Sequence, residues 1–197
     1  MPLAHAILGF LEYQPMTGYD LKKYFDQSIA HFWSATQSHI YKALENLEKD
    51  GFVEVKVIQQ EDKPNRKEYH ITHAGRAEVH RWVTTPLPLE IVREAWLIQI
   101  FFSHASTNEE IVTLLKAREK DIQSKLDTLR TETLASMEQN AARVGSERPR
   151  LLWQMTADYG IAYYEAELKW IETAIKRVRK LPPMEMPKHN SNRQGNS

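Results

Sequence analysis

Ser34-Ala35-Thr36-Gln37-Ser38-His39-Ile40-Tyr41-Lys42-Ala43-Leu44-Glu45-Asn46-Leu47-Glu48-Lys49-Asp50-Gly51-Phe52-Val53-Glu54-Val55-Lys56-Val57 is the stretch that decides the fold. Ile40, Ala43, Leu44 and Leu47 recur at helical spacing. Ser34 is placed to open that helix, Gln37 to complete a capping box, and Gly51 to stop it. From Val53 to Val57 the apolar period drops to two, which predicts a strand. Downstream, the polar stretch 59–65 holds Pro64 and reads as a turn; Tyr69 and Ile71 share one face of a return strand; Thr72 caps a helix to about Val83. Upstream, Thr17 is an N-cap with Asp20 three residues on, and Met16 and Leu21 stand at staple positions around it. Leu21, Tyr24, Phe25 and Ile29 then face inward, and Leu3, Ala6, Ile7, Phe10 and Leu11 mark a first amphipathic helix. Three helices followed by strand, turn and strand are the order of a winged helix-turn-helix.

Pro86 and Pro88 end that region. The stretch 91–102 is apolar on more than one side and is expected as a deeply buried helix. Thr107 and Glu110 form a capping box for a helix to about Ala142, and a last helix is expected from about Arg150 to Leu181. The resulting fold class is mainly α with a small β-hairpin wing. Residues 1–85 are expected to fold as the winged helix, 86–181 as a separate long-helix domain, and 182–197 as a disordered tail. Each long helix reaches roughly 50 Å at about 1.5 Å per residue, so their exposed stripes need a partner.

The 197 residues carry 26 basic and 26 acidic side chains, a formal net charge of zero. Whole-domain basicity is the usual footprint of nucleic-acid binding, so contact with DNA must come from a local patch. Two such patches exist. Gln37, Ser38, Tyr41, Lys42 and Glu45 lie opposite the apolar stripe of the third helix, with His39 beside them. A glutamine can bond bidentately to an adenine edge and a lysine can reach guanine or phosphate, from the N-terminal turns that a recognition helix presents. The acids Glu45 and Glu48 are expected further along, leaving the groove. The second patch is the wing, where Lys63, Arg66 and Lys67 suit phosphates or the minor groove. Lys22 and Lys23 could add backbone contacts. Either patch alone is equally a solvated surface; together they fall on the two elements a winged helix uses.

Phe32-Trp33-Ser34-Ala35, Ser38-His39-Ile40-Tyr41-Lys42-Ala43-Leu44 and Leu47-Glu48-Lys49-Asp50-Gly51-Phe52-Val53 resemble the PadR family of bacterial regulators. So do Thr17-Gly18-Tyr19-Asp20-Leu21, Lys67-Glu68-Tyr69-His70-Ile71-Thr72 and Ala74-Gly75-Arg76. The C-terminal half, through Tyr159-Gly160-Ile161 and Glu165-Ala166-Glu167-Leu168-Lys169-Trp170, is similar to the larger subgroup, which includes phenolic-acid-responsive repressors and an activator of virulence genes. The resemblance implies a homodimer on a palindromic double-stranded operator, and it suggests repression. It also implies that Tyr19, Ser38, Tyr41 and Lys42 match DNA-facing positions.

In the last helix Ile161, Tyr164, Leu168, Ile171, Ile175 and Val178 follow spacings of three and four, a coiled-coil-like seam expected at the dimer interface. The alternative is that this seam meets the preceding helix within one chain. Tyr159, Tyr163 and Trp170 lie on a different side. An aromatic small-molecule effector is expected near Trp33, Trp82 and Trp96, which flank the hinge regions; such residues equally fill cores. No enzyme reading survives. There is no cysteine, which fits a reducing cytoplasm. His70 and His73 stand alone, with no zinc motif, nucleophile elbow or phosphate-cradling glycine loop, so neither metal nor cofactor is expected. The start of the chain reads as a helix, without the basic flank of a signal peptide. A winged-helix module that binds ligand or protein and does not read DNA is the competing function.

Overall fold

The structure is a computed structural model, and it describes residues 2–59, 65–89 and 91–182. It divides into two compact units, residues 1–89 with 128–161, and residues 90–127 with 162–197.

The first unit opens with α1 (Pro2–Tyr13), β1 (Met16–Thr17), α2 (Gly18–Ser28), α3 (Gln37–Lys49), β2 (Val53–Ile58), β3 (Arg66–Ile71) and α4 (His73–Val83). This is the winged helix expected from the pattern, plus one strand the sequence concealed. β1 is too short to show a period; it adds to the hairpin in the order β1-β3-β2, all antiparallel, with Met16 opposite Tyr69 and Val55 on the other side of it. Ile7, Leu8, Leu21, Phe25, Ile40 and Leu44 are fully buried in one core.

The caps fix where the helices start. Thr17 accepts from the Asp20 amide while Asp20 bonds back to the Thr17 amide and hydroxyl, as its spacing predicts. The cap of α3 is a correction. Thr36, and not Ser34, takes this role, accepting from the His39 amide at 3.3 Å, so Gln37 is the first helical residue and no capping box forms. Three consecutive residues here could not be ranked by type, because Ser and Thr cap almost equally well. Gly51 holds φ +75°, which only glycine adopts without strain, and turns the chain into β2. At its carbonyl, Thr72 donates a 2.8 Å hydrogen bond while capping α4. Across the domain, Glu78 of α4 accepts from Arg81 and pairs with His5 of α1, whose ring stacks on Trp82 at 4.6 Å. Arg81, then His5, hold the Glu78 carboxyl down to about 2.

Residues 128–161, placed in the arm by chain order, pack with the winged helix. A π-helical turn (Leu129–Thr133), α7 (Leu134–Val144) and the first half of α8 (Glu147–Val178) form this part, and α2 packs against α7. The expected unbroken helix to Ala142 is therefore interrupted, a shift of one residue that periodicity over short windows does not register. His31 lies with its ring nitrogens 3.0 and 3.3 Å from the carbonyl oxygens of Ser28 and Thr156.

The second unit holds α5 (Ala95–Phe101), a 3-10 turn (Ser103–Ala105), α6 (Asn108–Thr128) and the second half of α8. The capping box of Thr107 and Glu110 opens α6. Arg118 of α6 donates to Glu167 of α8 at 2.7 Å, pairs with Glu94 and lies over the Trp96 ring. One expectation fails here, and at α8 the alternative reading of the seam is met. The helix expected over 91–102 is shorter and contains no buried residue; Ile98, Phe101 and Phe102 are 61%, 79% and 65% exposed. A helix apolar on several sides needs more apolar surface than this unit offers. The seam of α8 is also not free: Tyr164, Ile171 and Ile175 are buried within the chain, and Ile161, Leu168 and Val178 are half-buried. A seam read from spacing alone does not say which helix fills it. The exposed apolar residues of α8 form a second stripe, Leu152, Met155, Tyr159, Tyr163 and Trp170. At 100° per residue it lies on the order of 120° around the helix from the buried one. The tail residues 183–197 lie outside the described residues.

Candidate nucleic-acid interface

Burial of Ile40, Ala43, Leu44 and Leu47 fixes the rotation of α3. Its opposite face then presents Gln37, Ser38, Tyr41, Lys42 and Glu45, all exposed, lining one open depression of about 550 Å³. His39 is exposed beside it but outside the depression. Glu45 lies on this face as its spacing predicts: eight residues after Gln37, two helical turns return it to the same side.

The Tyr41 ring lies across the start of α2. A Cβ on Gly18 would stand 2.6 Å from the ring, so only glycine lets the phenol seat there. That contact joins the two helices of the helix-turn-helix through the face that meets solvent. Tyr19, one residue on, is 67% exposed. Beneath, burial and then the nearby Glu48, Tyr41 and Glu45 push the Tyr69 phenol up.

The wing pairs Ile58 with Arg66 and Val57 with Lys67. Lys67 is exposed, and Arg66 lies 3.5 Å from Glu68, which also meets His70 at 2.8 Å. The local charge is therefore less positive than the basic residues alone suggest. Lys63 lies outside the described residues. On α2, Lys22 is engaged with Asp26, four residues away.

A second feature of this unit escaped sequence reasoning. A cavity of about 310 Å³ is walled by aromatic residues including Phe10, Tyr13, Phe32 and Trp153. Its polar groups converge: the Tyr24 hydroxyl accepts from Arg143 at 3.3 Å and from Gln14 at 3.4 Å. Burial pushes the Tyr13 phenol up, opposed by a hydrogen bond with Trp153. Tyr24 and Arg143 are separated by 119 positions, so no local pattern announces their meeting. Trp33, Trp82 and Trp96 do not line it. Trp33 is partly exposed after α2, Trp82 is covered by His5, and Trp96 packs on Trp170 at 5.5 Å while donating to Glu94.

Residues 7–81 match the transcriptional regulator PadR-like family, and residues 92–179 match the family described as virulence activator alpha C-term. Over 128 residues the chain is 33% identical to the negative transcriptional regulator PadR of Bacillus subtilis (strain 168), covering 64% of this chain and 70% of that one. The chain belongs to the PadR-like family of transcriptional regulators. Its fold agrees with that membership. The crystal structure of Bacillus subtilis PadR in complex with operator DNA superimposes with a TM-score of 0.74, at 24% identity, over 90% of this chain and 99% of that one. The same protein in complex with p-coumaric acid gives 0.73 at 25% identity, over 91% and 100%. In this PadR-like chain no described helix is long and apolar enough to cross a membrane, and no group of described His, Cys, Asp or Glu could hold a metal ion.

Proposed function

We propose that this chain is a cytoplasmic homodimeric repressor, without catalytic activity, that binds a palindromic operator through residues 1–85. The observation that carries this reading is the exposed face of α3, whose polar side chains share one depression and have no role in the core. Gln37, Ser38, Tyr41 and Lys42 would enter the major groove, Tyr19 and His39 would flank them, and Arg66, Lys67 and Lys63 would grip phosphates. The complex of Bacillus subtilis PadR with operator DNA supports the assignment. Retarded migration of the gene's own upstream duplex, lost in Lys42→Ala with Ser38→Ala, is the expected result. Equal retardation of random duplex would sink it, because a neutral protein has little sequence-independent affinity for a polyanion.

The cavity favours control by a small aromatic acid or phenol. Its volume sits at the low end of small-molecule sites. Aromatic walls suit a ring, and Arg143, Gln14 and the Tyr24 hydroxyl suit its oxygens. The p-coumaric acid complex of Bacillus subtilis PadR supports the chemistry. The cavity borders α2, which packs on α3, so a ligand that prefers one seating of α2 must change operator affinity by that same preference. Titration of Trp153 fluorescence with hydroxycinnamic acids, with and without operator, measures it. Ligand affinity that is identical in both states excludes this control.

Dimerisation is assigned to the helical part of 86–181, through α5 and the exposed stripe of α8. The seam buried within the chain is set aside.

A further inference from the structure

We infer that Glu45 reads an amino group on a base edge, cytosine N4 or adenine N6, at the far end of the α3 surface. The inference rests on the DNA-binding reading above. Glu45 lines the same depression as Gln37 and Tyr41, at i, i+4 and i+8. Eight residues rise about 12 Å, which spans three to four base pairs at roughly 3.4 Å each.

A carboxylate on a surface that meets DNA is unfavourable unless it finds a donor. Every phosphate repels it, and guanine and thymine offer it only acceptors and a methyl group in the major groove. Cytosine N4 and adenine N6 are the donors there. Glu45 is available for one. It is exposed and makes no hydrogen bond or ion pair among the described residues, although Lys42 and Lys49 stand three and four positions away at pairing distance along the helix. Lys42 beside it in the depression supplies the cation that offsets its approach to the backbone. A protein with no net charge gains little from sequence-independent attraction. In such a protein an acid on the reading face costs affinity on every wrong sequence and returns it only on the right one, a repulsive element of specificity.

Selection from a randomised duplex library, run with the full chain as wild type, Glu45→Ala and Glu45→Gln, tests this. Wild type should enrich a site with cytosine or adenine fixed at one position near the end of each half-site. Glu45→Ala should lose discrimination at that position alone, by roughly 5- to 150-fold. Glu45→Gln keeps a carbonyl acceptor and should retain part of it. If Glu45→Ala binds all sequences more tightly in parallel and enriches the unchanged site, Glu45 only repels phosphates and the inference falls. If wild type itself enriches no sequence, the DNA-binding reading falls and this one with it. Because Glu45 is exposed, both variants should match the wild-type circular dichroism and melting curve.

Discussion

Helices α1 and α5 are both short and apolar, yet they meet opposite fates. The winged helix buries Ile7, Leu8 and Leu11 of α1 against residues of its own unit, while α5 buries nothing and leaves Ile98, Phe101 and Phe102 in the open. The winged helix closes its core by itself. Helix α8, which runs through both units, has one stripe filled from inside the chain and another, from Leu152 to Trp170, uncovered. Exposed apolar surface on this scale marks an interaction site. One part of the molecule thus covers its own apolar face, and another leaves apolar surface open, which is what the proposed dimer would cover.

The sharpest way to break this contrast is to charge the open stripe. Met155→Asp with Tyr159→Asp should dissociate the dimer, with sedimentation velocity reporting a monomer whose helical content is intact. A dimer that persists would move the interface elsewhere. Ile171→Asp, on the buried stripe, should instead unfold the second unit, because it places an unpartnered carboxylate where no water reaches.

Truncation inside the self-contained core comes next. Leu44→Ala should cost about 2–5 kcal/mol, measured by denaturant unfolding, and the loss should not depend on protein concentration. Melting of a dimer-completed unit should depend on it. If both transitions are concentration-independent, the second unit needs no partner.

A smaller effect is expected at the seat of Tyr41. Gly18→Ala forces the ring aside, so operator affinity should fall about tenfold, on the order of 1.4 kcal/mol, with the melting temperature little changed. Unaltered affinity would show that the seat of Tyr41 does not matter for binding.

The smallest effect concerns acid. Glu78 titrates near 2, below its ordinary 4.5, because Arg81 and His5 bond its charged form. The stabilisation is complete above about pH 4.5 and is lost as pH falls through 2. The melting-temperature gap between wild type and Glu78→Gln should therefore shrink steadily over that interval. A gap that stays constant would mean the contact contributes nothing.

Legibility followed locality. The winged helix could be read because its signals lie within a few residues of their targets: Thr17 with Asp20, Gly51 at a helix end, Val53 to Val57 in alternation. The apolar seam of α8 was equally visible, but spacing is blind to whether the filling helix belongs to the same chain, and Tyr164, Ile171 and Ile175 turned out to be filled from within. The face of α3 was legible throughout, because the residues from Gln37 to Glu45 that share it follow directly from the apolar stripe on its other side. The cavity was not legible at all. Its polar focus joins Gln14, Tyr24 and Arg143, which only the folded chain brings together. The indole in its wall, Trp153, carries no sequence mark that separates it from Trp33, Trp82 or Trp96.

The π-helical turn at Leu129–Thr133 has a bearing on how such a regulator can change its taste. It stands just before α7, which brings Met137, Asn140, Arg143 and Val144 to the cavity wall. Its five residues turn the chain through about as much rotation as four residues of an α-helix. Loss of one residue from this wide turn would restore a plain α-helix and leave the same side chains of α7 facing the cavity. A descendant of this chain can therefore lose or regain a residue here without altering the wall, and a change of taste has to come from substitutions in α7 itself.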